Sequence, residues 1–196
     1  MKDKRKALEI ISRKLKDIPW TIYSGTAVEI FTEGKRIGRD IDIIVPPDKI
    51  DEVGKRFDVK PILETRGKEE IKIVNDYHIE TEIEGIPIEF IGKTEKFIID
   101  GEEYNPASPE NSQKLFRKVI KKKYLGLELP VIPVEEILAQ KMIWQRRGKW
   151  QDEKDIKLLK NQKISRKALI MAFDRWGVSK RKQKKLLKRY KGLLNM

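Results

Sequence analysis

The sequence predicts an α+β protein in which a mixed β-sheet with flanking helices is followed by a C-terminal helical region. Short runs rich in Ile and Val alternate with helix-like segments up to about residue 131. After Pro133, apolar residues recur at the spacing of a helix face. We therefore expect an α/β domain at residues 1–131 and a helical region at residues 132–196.

The N-terminal elements follow from the spacing of apolar residues and from turn residues. Leu8, Ile11, Leu15 and Ile18 recur every three or four positions, which predicts a helix that Pro19 ends. The next predicted elements are a strand in "WTIYS", a helix from Thr26 to Thr32, a strand in "RDIDIIV" and a helix from Asp48 to Phe57.

Alternating apolar runs then predict further strands in "VKPILE", "IKIVN", "YHIETEI" and "IPIEFI", with "EG" as a hairpin turn. The segment "LFRKVIKKKYLGLELPVI" fits either a basic helix or a hairpin broken at Leu125–Gly126. Beyond it we expect helices in "VEEILAQKMIWQRR" and "DEKDIKLLKN", from Ser165 to Trp176, and from Ser179 to Leu194.

The charge composition restricts the classes of function. The chain has 44 basic and 31 acidic residues and a formal charge of +13, which favours polyanionic partners. It has no cysteine and one histidine, so we expect oxygen ligands for any metal. No apolar run approaches the roughly 20 residues of a membrane span, and the N-terminus lacks signal-peptide features, so we expect a cytoplasmic protein.

Asp40 and Asp42 are two acidic residues in an otherwise apolar strand. Side chains at i and i+2 of a strand point to the same face, so the two carboxylates are neighbours. Solvent, a nearby Arg or Lys, or a divalent cation can stabilise such a pair. The alternative is a half-exposed strand whose polar positions are acidic.

Two further features bear on these aspartates. The Ser24–Gly25 turn opens a helix, where free backbone N–H groups suit a phosphate, although small residues also open helices simply as caps. Glu89 lies mid-strand in "IPIEFIG" and completes a three-carboxylate cluster if its strand neighbours "RDIDIIV"; otherwise it points outward from an edge strand. Glu80, Glu82 and Glu84 fit solvated positions better than ligand positions.

The segments "SGTAVEIF", "GKRIGRDIDI" and "IEF" resemble the nucleotidyltransferase superfamily of DNA polymerase β. Within it, "LPVIPVEEILAQKMIWQRRGKWQDEKDI" is similar to the AbiEii-like nucleotidyltransferases, and the likeness spans Trp20 to Leu159. Ser24 replaces the first glycine of the superfamily turn, and Gly38 stands where Thr or Ser is usual.

The resemblance implies the nucleotidyltransferase fold, an NTP substrate and Mg²⁺ or Mn²⁺ as cofactor. By analogy Asp40 and Asp42 bind metal, and Glu89 supports the metal or acts as general base. The implied nucleotide-binding residues are Ser24, Gly25, Arg36, Arg39, Lys141 and Asp155.

Several of these residues also fit roles that do not involve a nucleotide. Arg36 and Arg39 fit phosphate contacts or simple charge balance. The head group of Lys141 binds phosphate or extends to the surface, and Asp155 orients Lys141 or forms a salt bridge with Lys149 or Arg147.

The preferred acceptor is an RNA hydroxyl, particularly a tRNA end, because of the positive charge. A protein hydroxyl, as in toxin–antitoxin AMPylation, is the alternative, and a non-catalytic nucleic-acid-binding module is a third interpretation. The final helix, "SKRKQKKLLKRYK", fits either phosphate-backbone binding or a solvated basic face. Trp144, Trp150 and Trp176 are expected in core or interface packing, and His78 as an ordinary strand residue.

Overall fold

A computed structural model of the chain describes residues 3–68, 71–106, 108–144 and 151–192. Its strands form one mixed sheet in the order β3-β4-β5-β2-β1-β8-β7, with β6 paired to β5. The strands are β1 Thr21–Tyr23, β2 Ile41–Ile44, β3 Ile62–Lys68, β4 Ile71–Ile83, β5 Ile86–Ile99, β6 Glu102–Tyr104, β7 Ile120–Tyr124 and β8 Leu127–Val131.

The centre of the sheet combines both pairing directions. Strand β2 pairs antiparallel with β1 and parallel with β5, and β1 pairs parallel with β8. The outer pairs β3–β4, β4–β5 and β7–β8 are antiparallel hairpins. The predicted mixed sheet is therefore confirmed.

Three hairpins close through two-residue turns in which a non-glycine residue precedes a glycine. At Glu84–Gly85, Asp100–Gly101 and Leu125–Gly126 both residues have positive φ, a conformation whose twist suits a tight hairpin. The last of these turns joins β7 to β8. The segment "LFRKVIKKKYLGLELPVI", for which the sequence allowed a basic helix or a hairpin, therefore contains a hairpin.

Helices flank the sheet and fill the C-terminal region. They are α1 Lys4–Lys14, α2 Ser24–Phe31, α3 Ile50–Phe57, α4 Pro109–Phe116, α5 Val134–Trp144, α6 Gln151–Leu159, α7 Arg166–Arg175 and α8 Lys180–Tyr190. Asp3, Ser108, Ser165 and Ser179 cap the starts of four of them through their side chains. No helix in the described ranges is both long and apolar enough to cross a membrane.

Helix α5 is the central helix of the C-terminal region. Its residues from Ile137 to Ile143 are all buried, and it contacts α2, α6 and α7. A buried ion pair between Glu136 and Arg175 ties it to α7, with 2.6 Å between Oε2 and Nη2. The hydrophobic core includes residues on both sides of position 131, so the proposed division into domains remains a prediction.

Some element boundaries differ from those expected. Asp40 lies directly before β2, and "IKIVN" and "YHIETEI" form one strand with an irregularity between Tyr77 and His78. The rings of Trp144 and Trp176 pack against Phe97, with centroids 5.5 and 5.6 Å away, as expected of core residues. Trp150, Lys149 and Arg147 lie outside the described residues.

Candidate active site

Asp42 and Glu89 lie side by side on the adjacent parallel strands β2 and β5. Their Cα atoms are register partners, so the two side chains point to the same face of the sheet. Asp40, two residues earlier, joins them in lining an open cavity of about 470 Å³. The structure thus brings together the three carboxylates that the sequence singled out, and Glu89 does not lie on an edge strand.

The first residue of α2, Ser24, contacts this cluster. Ser24 has a φ of 53°, a left-handed conformation that favours glycine. The Ser24 side chain hydrogen bonds with Asp42. The start of α2 and its free backbone N–H groups therefore lie next to the carboxylates.

Asp42 has an altered acidity. Burial, together with the nearby Asp40 carboxylate, raises its pKa from 3.8 to about 6, although Ser24, Lys141 and Arg36 oppose the shift. A divalent cation between the carboxylates would relieve both the repulsion and the lost hydration. This arrangement fits a magnesium or manganese site built from oxygen ligands.

The loop between α2 and β2 is held by buried Glu29. Glu29 Oε2 accepts hydrogen bonds from Lys4 Nζ at 2.7 Å and from the Gly38 backbone N–H at 2.9 Å. The Tyr124 hydroxyl donates a hydrogen bond to the other carboxylate oxygen, Glu29 Oε1. Thr26 Oγ1 bonds the Asp40 carbonyl at 2.7 Å, so these contacts fix the backbone that carries Asp40.

A buried charge network lies beside Gly25. Lys141 Nζ is 3.0 Å from both Asp152 Oδ1 and Asp155 Oδ2, and Arg36 Nε donates to Asp155 Oδ1 at 2.9 Å. Lys141 is only 6% exposed, so its head group does not extend to the surface.

Arg36 also lies against the glycine of the turn. A Cβ on Gly25 would lie 2.5 Å from Arg36 Nη1, so the guanidinium fills the space that a side chain would take. Arg36 Nη1 is buried and has no hydrogen-bond partner among the described residues. An unsatisfied cationic donor beside a helix start suits a phosphate oxygen.

Arg39, in contrast, is exposed, and its side chain forms no ion pair within the described part of the chain. The structure places it directly before Asp40. Its role in nucleotide binding remains a prediction.

Sequence reasoning missed Arg66. Its guanidinium extends from β3 across β4 and bonds Glu89 on β5, and its Nη1 lies 3.3 Å from Glu80 Oε1. Glu80 and Glu82 are exposed, as expected, and also line the cavity. A lone arginine in a predicted strand gives no sign of these contacts, because they depend on how β3, β4 and β5 pair.

Solved structures give an independent view of the fold. The chain is similar to a candidate nucleotidyltransferase from Thermotoga maritima, with 20% identity, a TM-score of 0.54, and coverage of 76% of this chain and 88% of that one. It is also similar to the lincomycin-bound lincosamide antibiotic adenylyltransferase LnuA, with 19% identity, a TM-score of 0.51, and coverage of 83% of this chain and 99% of that one.

No protein-family model and no curated protein matches the sequence. The structural likenesses show that the chain has the nucleotidyltransferase fold. The AbiEii-like subtype stays a prediction.

Proposed function

We propose that the protein is a metal-dependent nucleotidyltransferase that transfers NMP from an NTP to an acceptor hydroxyl and releases pyrophosphate. The observation that carries this proposal is the register pairing of Asp42 with Glu89, with Asp40 beside them, next to the Ser24–Gly25 turn. Clustered acids would repel phosphate, so a surface that only binds nucleic acid has no use for them.

Asp40, Asp42 and Glu89 are the residues that would hold the metal. When bound, magnesium ions neutralise charge on the triphosphate and activate the attacking hydroxyl. Glu89 lies at the side of the cluster nearest Arg66 and Glu80, and Glu80 also lines the cavity. We assign it to the acceptor side, where it supports the metal or accepts the proton of the attacking hydroxyl.

The triphosphate would lie between the carboxylates and the network around Lys141. Because Gly25 has no side chain, the Arg36 guanidinium lies against the start of α2, where its Nη1 has a free donor. Asp155 bonds both Arg36 and Lys141 and therefore fixes the two cations relative to each other.

RNA is the preferred acceptor. The formal charge of +13 and the exposed basic residues of α8 favour a polyanion, and the cavity beside Glu89 is open to solvent. A protein hydroxyl remains the alternative. The likeness to LnuA adds a small-molecule hydroxyl as a third acceptor to supply in assays.

The test of the reaction is label transfer from each α-labelled NTP in the presence of Mg²⁺, with total RNA, protein or small-molecule acceptors supplied. Asp42→Asn should lower transfer at least about a hundredfold, because a lost metal ligand costs several kcal/mol of transition-state stabilisation. Its melting temperature should be equal to or above that of the wild type, because the substitution removes a buried repulsion.

The matched control is Asp48→Asn, which removes an exposed carboxylate just beyond β2. It should leave transfer unchanged. Undiminished transfer by Asp42→Asn would reject the metal assignment. Loss of transfer in both variants would show that the effect is not specific to the cluster.

A further inference from the structure

His78 has an unused ring nitrogen in a fully buried position. Its side chain is 0% exposed in β4, and Nδ1 lies 3.3 Å from the Asp76 carbonyl oxygen. The tautomer that donates Nδ1–H to this carbonyl leaves a lone pair on Nε2. Nε2 is buried and has no hydrogen-bond partner among the described residues. This is the usual arrangement of a metal-ligating histidine.

Carboxylates surround the His78 ring. Nε2 lies 3.6 Å from Glu80 Oε1 and 3.8 Å from Glu64 Oε1, and Nδ1 lies 3.3 Å from Asp76 Oδ2. A lone pair that faces carboxylate oxygens is repelled unless a cation or a proton lies between them. Asp76, His78 and Glu89 each offer one ligand atom, which for His78 is one of the two ring nitrogens, and these atoms lie within 4.8 Å of one another.

The Asp76 carboxylate is also held in place. Thr94 Oγ1 donates to Asp76 Oδ1 at 2.7 Å, and both residues are almost fully buried. Within the described part of the chain, Asp76 Oδ2 accepts no directed hydrogen bond, although Arg66 Nη2 lies 2.7 Å away. Asp76 and His78 thus have both a fixed orientation and an unused ligand atom.

Arg66 provides the positive charge in this cluster. Its Nη2 contacts Asp76 and Glu89, and its Nη1 contacts Glu80. A single guanidinium therefore faces three carboxylates. Asp76 Oδ2 and His78 Nε2 still have no hydrogen-bond partner among the residues that the structure describes, so Arg66 satisfies the cluster only in part.

We propose that Asp76, His78 and Glu89 form a second cation site, for a divalent transition metal such as Zn²⁺, and that Arg66 occupies it in the metal-free protein. Two carboxylates and an imidazole suit Zn²⁺, whereas Mg²⁺ prefers oxygen ligands. This proposal departs from the sequence-based expectation that every metal ligand is an oxygen. His78 lies in a strand, as expected, but it becomes a ligand.

Glu89 belongs to this site and to the proposed catalytic cluster. Where the proposed function holds, a transition metal bound to Asp76 and His78 competes for Glu89 and inhibits nucleotidyl transfer. Zn²⁺ binding itself does not depend on that function. Binding is therefore measured directly, without an activity assay.

The experiment is calorimetric titration of the metal-free full chain with Zn²⁺. The wild type should bind one equivalent. His78→Gln should bind at least about tenfold more weakly through loss of a ligand, and Thr94→Val about tenfold more weakly through loss of the hydrogen bond that orients Asp76. Arg66→Met should bind at least about tenfold more tightly, because it removes the competing cation and keeps a similar apolar stem.

Asp40→Asn is the control that separates this site from the catalytic one. It removes a proposed catalytic ligand and should leave Zn²⁺ binding unchanged. Should His78→Gln fail to fold, the Thr94→Val and Arg66→Met titrations still decide the matter. The proposal is overturned if neither wild type nor Arg66→Met binds Zn²⁺, or if folded His78 and Thr94 variants bind it as tightly as the wild type.

Discussion

Asp42 is the residue whose environment most directly links structure to the proposed chemistry. It is half-buried between Asp40 and Glu89, and its charged form is disfavoured by burial and by Asp40. The carboxylate that would bind metal therefore competes with a proton near neutral pH. Metal binding and protonation should consequently be linked.

The pH dependence follows from this raised pKa. The pKa of Asp42 in the folded protein, about 6, lies above its ordinary value of 3.8, so ionising Asp42 costs stability. Without metal, the contribution of this group to stability should fall as pH rises from about 4 to about 6. Mg²⁺ binds the ionised form, so the rise in melting temperature that it causes should be larger at pH 7 than at pH 5.

Thermal melts across this pH range, with and without Mg²⁺, test this prediction. Asp42→Asn is the control, because it cannot ionise and should lose the pH dependence of the Mg²⁺ effect. An equal Mg²⁺ effect at pH 5 and pH 7 in the wild type would contradict the linkage.

Two substitutions of Ser24 separate the effect of backbone strain on stability from the effect of hydrogen bonding. It adopts a left-handed conformation and hydrogen bonds with Asp42. Ser24→Ala loses the hydrogen bond and keeps the strain, whereas Ser24→Gly loses the hydrogen bond and relieves the strain. We expect the glycine variant to be more stable than the alanine variant by about 1 kcal/mol, measured by urea unfolding. Equal stability would show that the turn is not strained.

At the level of elements, α2 and the loop that follows it act as one unit. Glu29 on α2 binds Lys4 of α1, the Gly38 backbone and Tyr124 of β7. These contacts join three elements around the loop that leads into Asp40. The loop therefore depends on one buried carboxylate.

Glu29→Gln tests this dependence. Lys4 is mostly buried, and losing its anionic partner should lower the free energy of unfolding by about 3 kcal/mol, as measured by urea unfolding. Glu33→Gln, an exposed change in the same loop, should shift it by less than about 0.5 kcal/mol. Similar losses in the two variants would argue against a special role for Glu29.

The β3–β4–β5 hairpins show where prediction from sequence reaches its limit. The alternating patterns predict these strands, with β4 as two separate runs, and turn chemistry predicts "EG". The sequence does not predict the contact between Arg66 and Glu89, because it joins residues 23 positions apart through the pairing of three strands. The same pairing places His78 among carboxylates.

At the scale of the whole molecule, the main question is how the positive charge is used. Helix α8 buries Gln183, Leu186 and Tyr190, while its outer face is basic. Deleting the helix would remove core residues together with the charges. Charge substitutions on the exposed face test nucleic-acid binding without exposing the core.

We predict that replacing Arg181, Lys184, Lys185 and Lys188 with Gln weakens RNA binding and lowers its salt dependence. The slope of log affinity against log salt should fall by up to about 3, at about 0.7 for each contact to single-stranded RNA. Fluorescence titrations at several salt concentrations give the slope. The control replaces with Gln four lysines outside α8 that are also exposed: Lys55, Lys60, Lys72 and Lys93. If both sets of substitutions lower the slope equally, α8 is a solvated surface and not a specific binding site.

The sequence by itself predicted the helices and strands up to residue 91 and after Pro133, the Ser24–Gly25 turn and the shared face of Asp40 and Asp42, and it left residues 92–130 open. These features depend on residues close together in the chain, where apolar periodicity and turn chemistry apply. Only the tertiary structure decided that Glu89 lies beside Asp42, that Glu29 holds the loop and that Arg66 lies among acidic residues. Strand order and register bring these distant positions together, and no local pattern encodes them.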